Sequence, residues 1–147
     1  MKIGIGITSR ARPFILNICL EHFAAFFPEG EVVTIVVDDN SKEKDAKKNL
    51  AACTKHGFNY FYSNQRLGVA KAKNACLSRL KDCDYIFLFA DDCFPSKKEW
   101  EKVYIEATAC TNVQHFQHNI EIAGIKMMGE KNSVQNFDHS AGVMLYL

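Results

Sequence analysis

No stretch of this chain carries the roughly 20 consecutive apolar residues that cross a bilayer. The start, Met-Lys-Ile-Gly-Ile-Gly-Ile, has one positive charge and no long apolar core. Neither a membrane-spanning helix nor a secretory leader is expected. A soluble, cytoplasmic protein is, with peripheral membrane association through a partner or a further segment left open. An excess of either charge is also lacking: 18 basic and 17 acidic side chains leave a formal net charge of +1. A chain so balanced has no overall attraction for nucleic acid or for an anionic membrane, so any anion it holds must be gripped locally. The six cysteines (Cys19, Cys53, Cys76, Cys83, Cys93 and Cys110) include no CxxC pair. Most fall in helical or strand patterns where a thiol acts as a small apolar group, which argues for reduced thiols over a disulfide framework. Internal repeats, low-complexity tracts and linkers are absent too, so residues 1–147 read as one domain.

What is present is enough to build a core: 48% of the 147 residues are hydrophobic. Residues 2–8 alternate isoleucine with glycine and read as a first strand whose glycines let a ligand or another backbone come close. A polar loop follows, Thr8-Ser-Arg-Ala-Arg12. Pro13 then opens a helix in which Ile15, Leu16, Cys19, Leu20, Phe23, Phe26 and Phe27 keep a period near 3.6. The β-branched run 32–37 predicts a second strand ending in Asp38-Asp39. Ser41 is expected to cap a helix to about His56, with Leu50, Ala51 and Cys53 facing inward and Gly57 as the left-handed stop. Residues 58–62 read as a third strand, and 68–80 as a compact helix whose small residues allow close packing.

The apolar run 85–90 reads as a central strand, covered on both faces, that ends in Asp91-Asp92. Ser96-Lys-Lys-Glu99 matches a capping box for a helix carrying Trp100, Val103, Tyr104 and Ala107. Beyond Cys110 the helical period is lost, and 113–117, 121–128 and 141–147 are strand candidates around a turn-like Gly129-Glu-Lys-Asn132. Repeated βα units followed by such a tail predict an α/β fold, a doubly wound and mostly parallel sheet with a strand-rich C-terminal edge.

The chemistry lies in the two acid doublets. Open α/β sheets bind ligands at the carboxyl ends of their strands. Neighbouring strand residues point to opposite faces, so Asp91 and Asp92 can serve one ligand only where the strand ends and the chain turns, as Pro95 indicates. A pyrophosphate beside two carboxylates is repelled unless a divalent cation lies between, and hard oxygen donors suit Mg²⁺ or Mn²⁺. The alternative is that these acids cap the following loop or are solvated. Asp38 and Asp39 repeat the layout; a carboxylate there can accept from a nucleobase imide N–H or a ribose hydroxyl, or simply start a turn.

Thr8-Ser9 after an apolar strand, Val36-Val-Asp-Asp-Asn-Ser41, Asn64-Gln-Arg-Leu-Gly68 with Lys73-Asn74, and Phe89-Ala-Asp-Asp-Cys-Phe94 follow one another with the order and spacing of a known family. Over about residues 2–110 the chain resembles family 2 glycosyltransferases of the GT-A fold. The resemblance implies a three-layer α/β/α domain, with 1–110 as nucleotide-sugar-binding βα units and 111–147 as the incomplete start of an acceptor-side region, so that the domain is truncated. It implies a metal-dependent, inverting transfer from a nucleoside-diphosphate sugar, commonly a UDP-sugar, to an acceptor hydroxyl. Thr8 and Ser9 look like the first nucleotide loop, Asp39 like the acid that holds uracil, Asp91 like the residue near the ribose, and Asp92, in a DxD-like motif, like the ligand of Mn²⁺ or Mg²⁺.

Arg66 and Lys73 fall in the segment that faces the donor's base and phosphates, and Arg10 stands where relatives carry an aromatic that stacks on the base. Cys93, where a third acid or a polar residue is frequent, reads as packing. The general base is unassigned: Glu121, Glu130, Asp138 and His139 are the remaining candidates, and for each a surface or turn role is the favoured reading. A nucleotide-sugar binding module without turnover is the alternative function, and a phosphoacceptor receiver-like domain is a third reading. The apolar end 143–147 is expected to leave an edge open to self-association.

Overall fold

The computed structural model describes residues 1–111 and, beyond them, the backbone of four short strands. The order is β1 (Lys2–Ser9), α1 (Pro13–Ala25), β2 (Glu31–Asp38), α2 (Glu43–His56), β3 (Tyr60–Tyr62), α3 (Val69–Leu80), β4 (Tyr85–Ala90) and α4 (Trp100–Thr111). Then come β5 (Phe116–Gln117), β6 (Glu121–Ile122), β7 (Ile125–Lys126) and β8 (Met144–Tyr146). The main sheet runs β3-β2-β1-β4-β8-β5. β1, β2, β3 and β4 are mutually parallel, and β8 is antiparallel to both β4 and β5. The chain winds outward from β1 to β3 and then crosses back to β4, so the order of strands reverses beside β1, where such sheets open a crevice. A receiver-like sheet would run 2-1-3-4-5 instead, and that reading is set aside.

Two cores sandwich the sheet. On one face Ile3, Ile5, Ile7, Val36, Phe87 and Phe89 meet Leu16, Cys19, Leu20 and Phe23 of α1, Ala52 and Cys53 of α2, and Trp100 of α4. On the other, Ile35, Val37, Ile86 and Leu88 meet Ala72, Cys76 and Leu80 of α3. The glycines of β1 serve that second contact. A Cβ at Gly6 would fall 2.7 Å from Leu88 Cδ2 and 2.8 Å from Cys76 Cβ. Gly6→Ala is therefore expected to cost about 1–3 kcal/mol through overpacking, read as a lower urea midpoint; an unchanged midpoint would contradict the tight α3–sheet contact.

Several local expectations are corrected. Lys42, not Ser41, occupies the N-cap of α2, whose inward residues are Asn49, Ala52 and Cys53, while Leu50 is 48% exposed. The inward Asn49 disguises the apolar face, and it is there to serve a buried carboxylate. Gly57 does close α2 in the left-handed region, at φ 74°. The capping box at 96–99 does not form: Glu99 has φ 59°, its carboxylate pairs with Lys102, and α4 begins at Trp100. Trp100 sets that start, because its ring packs edge-on to Phe23, Phe87 and Phe89 and its indole N–H donates to the Phe26 carbonyl at 3.0 Å. Val103 of the same helix is exposed. In β8, Met144 and Leu145 are paired with both β4 and β5, and Tyr146 with β4. The turn at 129–132 lies outside the described residues.

Candidate functional site

Because β1 lies between β2 and β4, its last residue meets both acid doublets. The register sets Ser9 opposite Asp38 and Thr8 opposite Ala90, so Asp39 and Asp91 lie one step past the sheet on either side of Ser9. Three bonds close the arrangement. The Asp39 N–H donates to the Ser9 carbonyl at 2.9 Å, the Ser9 hydroxyl donates to Asp91 Oδ2 at 2.6 Å, and the Asp91 N–H donates to the Thr8 carbonyl at 3.2 Å. Two chain segments 52 residues apart thus converge on one serine.

The first doublet divides its labour. Asp38, fully buried, accepts from the Ser41 N–H at 2.8 Å, Asn49 Nδ2 at 2.7 Å and the Tyr60 hydroxyl at 2.8 Å. Burial, followed by the Asp38 bond and charge, pushes the Tyr60 phenol well above its ordinary value, so it stays a donor at neutral pH. Asp39 points the other way along the rim. Its carboxylate accepts from the backbone N–H groups of Leu67 and Gly68, at 3.0 Å for Gly68, and so ties down the 64–68 loop. Two carboxylate oxygens carry about four acceptor directions, so Asp39 retains capacity for a ligand donor. Ser41 accepts from the Ala11 N–H at 2.7 Å and holds Ala11 at φ 53°. Among the described residues, two of the three non-glycine residues with positive φ, Ala11 and Asn40, flank this rim, where held strain commonly accompanies a binding site.

At the second doublet the structure adds a residue that sequence reasoning missed. Arg12 forks across both acids, donating from Nη2 to Asp91 and from Nη1 to Asp92 Oδ2 at 3.0 Å. Partial burial works against its charge, but the two carboxylates outweigh this and raise its pKa. A signal was available: Arg12 is the N-cap of α1, just ahead of Pro13, and a cation at the positive end of a helix dipole calls for an anionic partner.

Asp91 is fully buried, Asp92 about half exposed. Burial raises the Asp91 carboxyl above the usual range; Ser9 and Arg12 pull it back down, and Asp92 pushes it up. An acid whose folded-state pKa is raised contributes most to stability below its unfolded value, and that contribution is lost as pH rises through the folded value. Ionised Asp91 therefore costs stability at neutral pH. Melts between about pH 3 and about pH 7 are expected to show Asp91→Asn gaining on the parent as pH rises; a constant or opposite difference would contradict this.

The remaining predicted residues are less tightly joined. Thr8 donates to the Phe89 carbonyl at 3.4 Å. Arg10 and Arg66 are exposed, Arg66 just ahead of the Leu67 N–H that binds Asp39. Lys73 of α3 is half-buried, and burial lowers its pKa, while its charge lies near enough to Cys93 to pull that thiol down. Burial still leaves Cys93 raised overall, and its sulfur is 3.8 Å from Asp92 Oδ1. A neutral thiol packed against the core agrees with a packing role. The side chain of Glu121, and Glu130, Asp138 and His139, lie outside the described residues. A groove of about 590 Å³ runs beside the 63–67 loop and α3, lined by Ser63, Asn64, Gln65, Leu67, Asn74 and Arg79 and by none of the four carboxylates.

Among the described residues no group of three His, Cys, Asp or Glu side chains converges as a self-sufficient metal cage. A hard divalent ion of the Mg²⁺ class is commonly held by one or two carboxylates, with a substrate's phosphates completing the set. The half-exposed oxygens of Asp92 are donors of the right kind.

The sequence model described as glycosyl transferase family 2 matches residues 6–130. The chain belongs to that family. This family 2 domain is 32% identical, over 125 residues covering 79% of it, to an uncharacterized glycosyltransferase of Acanthamoeba polyphaga mimivirus. It spans 47% of that relative's length. The mannosyltransferase PcManGT of Pyrobaculum calidifontis, solved with GDP-Man and Mn²⁺, superposes with a TM-score of 0.68 at 14% identity, covering 79% of this chain and 34% of that one. Residues 1–349 of S. aureus TarS, solved with UDP-GlcNAc, give 0.67 at 17% identity, covering 88% and 37%. These structural likenesses establish the GT-A glycosyltransferase fold. No described helix is long and apolar enough to cross a membrane.

Proposed function

We propose that this family 2 domain binds a nucleoside-diphosphate sugar, with UDP as the leading nucleotide, together with Mn²⁺ or Mg²⁺, and that it forms the donor half of an inverting glycosyltransferase. The observation that carries the reading is the double use of Ser9, which draws Asp39 and Asp91 to one rim. Asp39 would accept the base's imide N–H, Asp91 would meet the ribose, and Thr8 and Ser9 would line the nucleotide. Arg10, Arg66 and Lys73 would offer positive charge to the diphosphate. Asp92 would hold the cation, which when bound supplies charge stabilisation for the departing diphosphate. The chain's own contribution is positioning, with the donor fixed between two strand ends and the acceptor hydroxyl's base supplied from outside the described residues. The six free thiols suit a reducing, cytoplasmic setting.

Calorimetric titration in the presence of Mn²⁺ tests the base assignment. UDP is expected to bind, and CDP, whose ring offers an acceptor at the imide position, to bind at least about tenfold more weakly. Equal affinity for the two would remove Asp39 from base recognition, and GDP outranking UDP would change the nucleotide while keeping the carboxylate's role. Because the chain spans 47% of its curated relative, binding without turnover is the second reading for this stretch alone. Release of sugar from the donor by the isolated chain would exclude it.

A further inference from the structure

Arg12 has no part in the donor site as so far described, yet it is the residue most directly engaged with the acid pair. Its two bonds differ. The one to Asp91 is made with a carboxylate that is 0% exposed and already receives the Ser9 hydroxyl; the one to Asp92 is made with a carboxylate that is 53% exposed. The other oxygen of Asp92 has a long contact with the Cys93 thiol. The root of the arginine is fixed, because its carbonyl accepts the first bond of α1 from the Leu16 N–H at 3.0 Å and the preceding Ala11 is held by Ser41. The head is about half exposed, and its bond to the exposed Asp92 can be given up by rotation of the side chain while the bond to Asp91 is kept.

We propose, on top of the nucleotide-sugar reading, that Arg12 is a built-in counter-cation which occupies Asp92 until a divalent ion arrives together with a nucleoside diphosphate, and then releases Asp92 while keeping Asp91. Charge balance supports this order. Two carboxylates and one guanidinium leave one net negative charge, which a bare divalent ion would overturn to positive beside Lys73. The same ion accompanied by a diphosphate leaves the rim negative and gives the released guanidinium a new anion to face. Arg12 therefore penalises the bare metal more than the metal–nucleotide pair. By linkage, metal and nucleotide strengthen each other by the same factor, and Arg12 enlarges that factor.

The test counts free Mn²⁺ by electron paramagnetic resonance in titrations of the parent, Arg12→Gln and Arg12→Lys, without and with UDP. Arg12→Gln is expected to bind Mn²⁺ alone about tenfold tighter than the parent, and to lose most of the gain that UDP gives to Mn²⁺ binding. Arg12→Lys keeps the charge and is expected to stay near the parent for Mn²⁺ alone. Bare Mn²⁺ binding to Arg12→Gln that is unchanged or weaker overturns the proposal and makes Arg12 a strut. Should the glutamine variant not fold, the guanidinium NMR signal of Arg12 in the parent decides. It is expected to move with Mg²⁺ and UDP together, and a shift with Mg²⁺ alone, or none with both, overturns the proposal. Failure of the parent to bind UDP with Mn²⁺ sinks the donor reading and this inference with it. UDP binding alongside an unaltered Arg12→Gln response sinks this inference alone.

Discussion

Asp38→Ala is expected to cost the domain about 3–5 kcal/mol, a large share of the roughly 5–15 kcal/mol that keeps an ordinary domain folded, whereas Asp39→Ala is expected to cost much less. The two carboxylates are neighbours in sequence with opposite tasks. Asp38 is enclosed and satisfies three donors at once, the Ser41 N–H, the Asn49 amide and the Tyr60 hydroxyl. The Ser41 N–H would lose its acceptor, and the Asn49 amide and Tyr60 hydroxyl would keep only the long contacts to Ser41 Oγ at 3.5 Å and the Ala46 carbonyl at 3.4 Å, at roughly 1–3 kcal/mol apiece before relaxation. Those donors come from the β2–α2 turn, α2 and β3, so the loss is felt across three elements. Asp39 ties one loop to the rim through the Leu67 and Gly68 N–H groups, and its removal loosens that loop without opening the core. Urea denaturation of the two variants checks the contrast. Comparable destabilisation, or a larger loss at Asp39, would contradict the division between an acid that holds three elements together and one that holds a single loop.

Asp92→Asn is expected to leave the melting temperature within a few degrees of the parent and to lower the Mn²⁺-dependent affinity for UDP by about 100-fold. The carboxylate is half exposed and its partner Arg12 keeps Asp91, so little of the fold depends on it. An amide preserves shape but loses the anionic oxygen that a hard cation needs. Calorimetry with UDP in the presence and absence of Mn²⁺ reads the effect. Equal affinities for parent and variant with metal present would take the cation away from Asp92.

The features legible in the sequence were those written into runs and periods. Apolar segments that stop at paired acids gave β2 and β4 and their ends, the 3.6-residue stripe of Leu16, Cys19, Leu20 and Phe23 gave α1, and Gly57 gave the end of α2. The misses share a cause: a local signal was overruled by a distant partner. Ser41 looks like a cap but is used by Ala11, thirty residues earlier. Asn49 interrupts an apolar face because Asp38 needs its amide. The 96–99 box yields to the docking of Trp100 among Phe23, Phe87 and Phe89. Arg12 was read as part of a polar loop; its place just ahead of Pro13 calls for an anionic partner, but nothing local identifies that partner as two carboxylates about eighty residues away. The acids themselves were legible; the serine and arginine that join them required the sheet order.

A crystal of the domain grown with Mn²⁺ and UDP, with data collected at the manganese edge, tests the shared rim most directly. The anomalous peak is expected about 2 Å from an Asp92 oxygen, with the diphosphate beside it and the uracil within hydrogen-bond distance of Asp39. Manganese bound elsewhere, or a nucleotide lying on a surface that touches only one of the two acid doublets, would contradict it.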